Sequence, residues 1–281
     1  MPDGVASRRD PIRIEAPVLE LSDEGGANRR LRLRASGWPG FDPGQFVMLS
    51  PGALASAPRS DPLLPRPMAV YRERPEPGGA VLEILFKRHG RGTALLADAR
   101  PGERVRLVGP LGRAFAPPPP GERAVLVAGG TGIASVYELA ARTLDRAASG
   151  SPRPLVLLGA RSAGDLMGEP DFAALGAPLR IATEDGSRGT RGLVTDLLEA
   201  ALSDGAPSRV YACGPTAMMR RAAEIAARRG CTCSVSLENP MACGFGVCLG
   251  CAAPLRGGGF ALVCRDGPVL DATDVAWEGL A

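Results

Sequence analysis

None of the seven cysteines in this chain precedes Cys213; the others are Cys231, Cys233, Cys243, Cys248, Cys251 and Cys264. A disulfide framework spreads its cysteines through the fold it holds together. Here they gather at one end, and 281 residues can bury a sizeable core without staples. A local site is therefore expected. Cys243, Cys248, Cys251 and Cys264 follow the pattern C-x4-C-x2-C-x12-C, the plant-type spacing for a [2Fe–2S] cluster.

In such a site three thiolates come from one tight loop and the fourth from a following strand, here the run 260–264. Gly244, Gly246 and Gly250 allow the loop to turn sharply and to aim N–H groups at sulfur. Structural zinc is the alternative, since four cysteines suit that ion too. Zinc sites more often use two separated C-x2-C pairs, and only one such pair occurs here. Cys231 and Cys233 are read as small residues entering a strand, with no ligand role.

Composition removes other classes. His89 is the only histidine and Lys87 the only lysine, which excludes a histidine-rich metal site and a catalytic histidine pair. A net charge of +3, with arginines scattered among acids, gives no footprint for nucleic acid. No apolar run approaches the ~20 residues that span a bilayer. The start, Met1-Pro2-Asp3-Gly4, lacks a basic segment followed by an apolar one, so no signal peptide is expected. These features fit a soluble, cytoplasmic protein without a membrane or nucleic-acid partner.

Along the chain, segments near 12–21, 29–35, 45–50, 67–72, 80–87 and 104–108 have the short apolar runs of strands, and 53–64 is loop-like. A small antiparallel barrel or sandwich is expected. Four prolines at 117–120 then mark a stiff connection. Beyond them the buried run 124–128 ends in Gly129-Gly130-Thr131-Gly132. A helix follows, with Val136, Leu139, Ala140 and Leu144 on one face. Apolar runs at 155–158, 179–182 and 210–212 alternate with helical stretches near 193–202 and 216–229. That alternation implies a doubly wound parallel sheet. The expected units are 10–116, 121–234 and a Cys- and Gly-rich module, 235–281.

Gly129-Gly130-Thr131-Gly132 stands between strand and helix, where N–H groups can face a pyrophosphate. It is not a full G-x-G-x-x-G, and a tight turn needing glycine is the plainer reading. Other strand ends add weight: Gly159-Ala160-Arg161, Thr183-Glu184-Asp185 and Cys213-Gly214-Pro215. Ligands of open α/β sheets bind outside the carboxyl ends of the strands, so these ends together point to a dinucleotide site.

Strand–GGTG–helix, a later Cys-Gly-Pro and the C-terminal cysteine pattern together resemble the ferredoxin-reductase-type flavoproteins. More closely, they resemble the electron-transfer subunits of dihydroorotate dehydrogenase B, over nearly the whole chain after its first ten residues. The resemblance implies an FAD-binding β-barrel, an α/β NAD domain and a [2Fe–2S] module. Arg66-Pro67-Met68-Ala69 resembles the flavin segment Arg-Pro-x-Ser, in which the arginine pairs with the FAD pyrophosphate. Leu85, Phe86 and Lys87 would line the flavin. Gly90-Arg91-Gly92-Thr93 resembles the family's phosphate-cradling Gly-x-Gly-Thr, and Gly109-Pro110-Leu111-Gly112 the turn closing the flavin domain. Ala69 departs from the usual serine, which removes a hydroxyl near the reactive edge of the flavin.

By the same resemblance, Gly129, Gly130, Thr131, Gly132, Cys213, Gly214 and Pro215 would hold NAD. Cys213 would position the nicotinamide; a buried inert thiol is the other reading. Glu238 resembles a family glutamate, or is an ion-pair or capping residue, and His89 is a solvated loop residue. Arg161 could meet a 2′-phosphate or be solvated, which leaves NADH and NADPH both open. The implied partner is an FMN-containing dihydroorotate dehydrogenase catalytic subunit, in a heterotetramer serving pyrimidine (UMP) synthesis. Alternatives keep the cofactors and change the partner, to sulfide dehydrogenase, glutamate synthase-like, transhydrogenase or oxygenase systems. A zinc-stabilised nucleotide-binding regulator is the reading from a different class.

Overall fold

A computed structural model of the chain describes residues 9–51, 64–148 and 150–280; most of the loop-like stretch 53–64 and the first four residues lie outside these. Two seven-stranded sheets and one small hairpin make up the fold.

The first sheet is antiparallel. Its strands are β1 (Ile12–Asp23), β2 (Asn28–Ser36), β3 (Phe46–Ser50), β4 (Arg66–Ala69), β5 (Arg72–Glu76), β6 (Gly79–Lys87) and β7 (Arg104–Leu111), in the order β4-β3-β7-β1-β2-β6-β5. The run expected at 67–72 is two strands, because the chain passes there from one edge of the sheet to the other. β4 pairs with β3 and β5 with β6, while the Tyr71 N–H donates to the Glu83 carbonyl at 3.0 Å. One segment thus ties both edges and curls the sheet into a barrel. Alternate residues Leu31, Leu33 and Ala35 of β2 point inward, where they meet Val47, Leu49, Leu82, Ile84, Val105 and Leu107. The helix α1 (Gly90–Ala97) caps this barrel with buried Leu96.

The second sheet has the order β11-β10-β9-β8-β12-β13-β16. β8 (Arg123–Gly129), β9 (Leu155–Ala160), β10 (Leu179–Thr183), β11 (Thr190–Arg191), β12 (Ser208–Cys213) and β13 (Thr232–Ser236) are parallel. Buried on both faces, β8 and β9 read as the continuous apolar runs AVLVA and LVLL. Four helices cross over: α2 (Ile133–Ala147), α3 (Glu169–Ala174), α4 (Val194–Ala201) and α5 (Thr216–Arg228). The strand order reverses between β8 and β12, and a crevice opens there at the carboxyl ends.

The cysteine-rich end holds the hairpin β14 (Ala252–Pro254) and β15 (Phe260–Leu262). It is less separate than its composition implies. Its strand β16 (Val269–Asp271) joins the second sheet antiparallel to β13, and β13 itself runs through Ser236, past the expected boundary at 234/235. Cys251, Ala253, Val263, Cys264, Val275 and Trp277 share one buried core with α4, α5 and the barrel residues Phe46, Met48 and Leu111. No helix among the described residues is long and apolar enough to cross a membrane.

Candidate functional site

Two cavities lie along the boundary between the sheets. The first, about 400 Å³, is walled on the barrel side by Arg66, Pro67, Met68 and Ala69 of β4, by Leu85, Phe86 and Lys87 of β6, and by Thr93. Gly92 stands behind this wall: a Cβ there would lie 2.4 Å from Arg66 Nε, so a larger residue would displace the guanidinium from this place. Arg66 donates to the Leu64 and Pro65 carbonyls at 3.1 and 3.2 Å, and no carboxylate pairs with it among the described residues. A planar cation held by neutral groups at a cavity fits a pyrophosphate. Thr93 receives the His89 N–H at 2.6 Å and closes the start of α1, while the His89 ring is exposed.

The opposite wall comes from the second sheet and the segments that leave it: Thr131 and Ser135 after β8, Ser236 at the end of β13, and Leu237, Glu238, Asn239 and Met241 beyond it. Sequence reasoning did not collect these, apart from Thr131 and Glu238, because they meet only when β8, α2 and β13 are stacked. Thr131 donates to Glu238 at 3.3 Å. Surrounding protein disfavours the charged form of Glu238 and raises its pKa, against the Thr131 hydrogen bond, although the side chain opens onto the cavity.

The second cavity, about 390 Å³, lies at the strand-order reversal. Gly129, Gly130 and Pro215 line it, with Gly159, Ala160 and Arg161 from the next strand end and Glu184 from the one beyond. Asn28, Asp165, Leu193 and Arg221 also line it and carry no motif that marks them in the sequence. Gly132, Cys213 and Gly214 do not line it; they form the joint beneath. A Cβ on Gly132 would fall 2.3 Å from the Cys213 carbonyl, and one on Gly214 2.8 Å from the Gly129 carbonyl. Cys213 is 1% exposed, its thiol bonded to the Ser236 carbonyl at 3.5 Å. Burial, with the Glu238 charge, pushes that thiol up to about 12, so the inert packing role fits it. Lys87 lines both cavities and bonds Asp165 across the boundary at 3.0 Å.

The cysteine loop lies next to residues that line the first cavity. Met241, two residues before Cys243, and Pro268, four after Cys264, both line that cavity. Gly244 presses onto Met48, where a Cβ would lie 2.7 Å from Cγ. Among the described residues no three His, Cys, Asp or Glu side chains converge as a single-ion site. The Cys251 and Cys264 sulfurs are 3.2 Å apart, and Cys248 is one of the groups that lower the Cys243 thiol. Two thiolates for each of two irons is the arrangement a [2Fe–2S] cluster requires.

Backbone N–H groups aim at this sulfur set, Gly246 at Cys264 at 3.1 Å and Phe245 at Cys243 at 3.4 Å. Burial disfavours the Cys243 thiolate, but the N–H groups of Cys248, Phe245 and Val247 outweigh it and bring the thiol down to about 6. Leu249, between two of the cysteines, has φ 60°, the one positive value among the described residues other than glycine. Cys231 and Cys233 lie at β13, away from both cavities and the loop. Cys233 is buried, its carbonyl receiving the Ala272 N–H at 2.9 Å.

A barrel and a doubly wound sheet sharing a cavity, with a second cavity at the strand-order reversal, define a flavin- and nicotinamide-dependent reductase. A solved chain of the NADH-dependent reduced ferredoxin–NADP oxidoreductase is similar over 94% of this chain and 91% of that one, with a TM-score of 0.79 and 25% identity. Residues 126–224 match the oxidoreductase NAD-binding domain, and 238–276 the iron–sulfur cluster binding domain of dihydroorotate dehydrogenase B. The dihydroorotate dehydrogenase B (NAD(+)) electron transfer subunit of Desulforamulus reducens is 36% identical, covering 84% of this chain and 87% of that protein. Its counterpart from Bacillus caldolyticus is 39% identical, covering 83% and 86%. The chain belongs to the family of dihydroorotate dehydrogenase B electron-transfer subunits. It is an oxidoreductase of FAD, a [2Fe–2S] cluster and NAD(H), and the zinc-regulator reading falls.

Proposed function

We propose that this chain is the electron-transfer subunit of a cytoplasmic NAD-dependent dihydroorotate dehydrogenase. In this reading its partner is an FMN-containing catalytic subunit, two copies of each form a heterotetramer, and the route is pyrimidine (UMP) synthesis. The observation that carries it is linear order. The segments on either side of the cluster cysteines reach the first cavity through Met241 and Pro268, and Lys87 joins that cavity to the second. Oxidation of dihydroorotate releases two electrons and two protons; NAD takes both electrons with one proton as hydride, and one proton goes to solvent.

Residues 10–116 hold FAD, 121–234 hold NAD and 235–281 hold the cluster. Arg66 takes the flavin pyrophosphate, assisted by Gly92 and Thr93 at the start of α1. Pro67, Met68, Ala69, Leu85 and Phe86 give the ring an apolar wall that excludes water, and Lys87 borders both ligands. Gly129 and Gly130 bring backbone N–H groups to the NAD pyrophosphate, with Thr131 reaching into the flavin side. Gly132, Cys213, Gly214 and Pro215 set the shape of that crevice. Cys243, Cys248, Cys251 and Cys264 hold the iron atoms. When bound, the flavin converts between single-electron exchange with the cluster and hydride exchange with nicotinamide.

The electron entry faces a partner. Of the six exposed large apolar side chains among the described residues, Phe245, Val247, Leu249 and Phe260 belong to the cysteine loop and its hairpin. An apolar patch around a surface cluster suits protein docking. The experiment is co-purification with the FMN-containing catalytic subunit, then an assay of dihydroorotate-dependent NAD reduction by the cofactor-loaded complex. Coupled turnover is expected. A fully loaded complex that reduces its own FMN but no NAD would overturn the assignment.

A further inference from the structure

Away from the cavities and the cysteine loop, a dense polar assembly lies between the barrel and α3. Asp171 is its centre. Its Oδ2 receives Arg30 Nη2 at 2.6 Å and the Tyr71 hydroxyl at 2.9 Å; its Oδ1 receives Arg72 Nη1 at 3.1 Å. These three donors lie on β2, β5 and the link before β5, so one carboxylate of the second sheet's layer is gripped by three parts of the barrel. Glu83, 1% exposed, fixes both arginines from the barrel side, accepting from Arg30 at 2.9 Å and Arg72 at 2.7 Å. Glu24 accepts from Arg30 Nε at 2.6 Å and from the Gly168 N–H at 3.1 Å. The Arg72 guanidinium also lies 5.6 Å from the Tyr137 ring of α2.

Buried ion pairs gain little stability over apolar packing of the same volume, but they admit few alternative geometries. What this geometry sets can be followed along the chain. Asp165, six residues before Asp171, lines the second cavity, and the same 165–171 segment is tied to the barrel by Lys87 and by Asn28 Nδ2 on the Asp165 carbonyl at 3.1 Å. The first cavity has one wall from each body. A shift at Asp171 therefore moves the nucleotide wall relative to the barrel wall that carries the flavin residues.

We infer that Asp171 is a positioning residue: by locking the nucleotide-binding sheet onto the barrel it sets the alignment of nicotinamide on flavin. This rests on the cavity assignments proposed above. It is tested in the cofactor-loaded complex with Asp171→Asn, which keeps the shape and removes the charge. Reduction of FAD by dihydroorotate should slow far less, since single-electron exchange with the cluster needs no contact geometry, whereas hydride transfer does. Electron transfer from reduced FAD to NAD should slow by about tenfold or more, with loss of the long-wavelength absorbance of nicotinamide stacked on flavin. Parent-like transfer and absorbance would overturn the inference, as would equal slowing of both half-reactions. Should Asp171→Asn fail to load FAD, Tyr71→Phe removes one hydroxyl only and decides the matter by the same split, about threefold in size. Arg66→Ala separates the underlying reading: if it retains FAD like the parent, the cavity assignment fails rather than the positioning role.

Discussion

Gly132 lies so close to the Cys213–Gly214 peptide that a Cβ on it would meet the Cys213 carbonyl carbon and oxygen at 2.3 Å and the Gly214 nitrogen at 2.5 Å. The two segments follow β8 and β12, the strands between which the sheet order reverses. Their contact brings α2 down onto the neighbouring strand end and shapes the floor of the nucleotide crevice.

Gly132→Ala is therefore expected to push these strand ends apart. Overpacking at a tight backbone contact costs roughly 1–3 kcal/mol, to be read as a lower midpoint in denaturant unfolding. The KM for NADH should rise as the crevice deforms, while FAD content stays that of the parent. Unaltered stability and KM would show that the contact relaxes freely.

Thiol reactivity follows the local environments. In cluster-free protein near neutral pH, Cys243 should be alkylated first, because backbone N–H groups stabilise its thiolate and lower it to about 6. Cys213 and Cys233, each pushed to about 12 mainly by burial, should be labelled last. Peptide mass spectrometry over a time course of iodoacetamide treatment gives the order. Cys213 reacting as fast as Cys243 would contradict its burial.

The acid limb of stability should carry the Asp171 signature. Burial disfavours its charge, yet hydrogen bonding to Arg30 and the charges of Arg30 and Arg72 hold the carboxyl below the ordinary aspartate value. A depressed folded pKa stabilises the protein above the unfolded value of about 3.9, and this contribution is lost as pH falls below it. Melting temperature measured from pH 6 downward should fall more steeply in the parent than in Asp171→Asn, the curves converging at low pH. Parallel curves would mean that the carboxylate contributes no linkage.

Much of this arrangement is legible in the sequence because local chemistry writes it there. The cysteine spacing marks the cluster loop, since four thiolates must reach one small group. The buried run before Gly129 marks a central parallel strand, since only a strand covered on both faces is apolar at every position. The Arg66–Ala69 and Leu85–Lys87 segments carry a family pattern, and they do share one cavity wall. Ser135, Ser236, Asn239 and Asn28 escape notice because nothing in their own neighbourhoods distinguishes them from surface polar residues. Asp171 escapes for a related reason: its three donors are 141, 100 and 99 residues away.

The sequence by itself determined the chain's parts: an antiparallel β unit, a doubly wound sheet and a thiolate loop, each specified by periodicity and spacing over short range, while the barrel form of the first came from the family resemblance. Tertiary structure decided how these parts meet. It threaded β16 of the cysteine-rich end into the second sheet, set Met241 and Pro268 against the first cavity, and joined the two cavities at Lys87. The physical reason is range. Hydrophobic alternation, glycine turns and ligand spacing act over a few residues, whereas a shared cavity wall or an ion pair across two folded bodies exists only once both have packed.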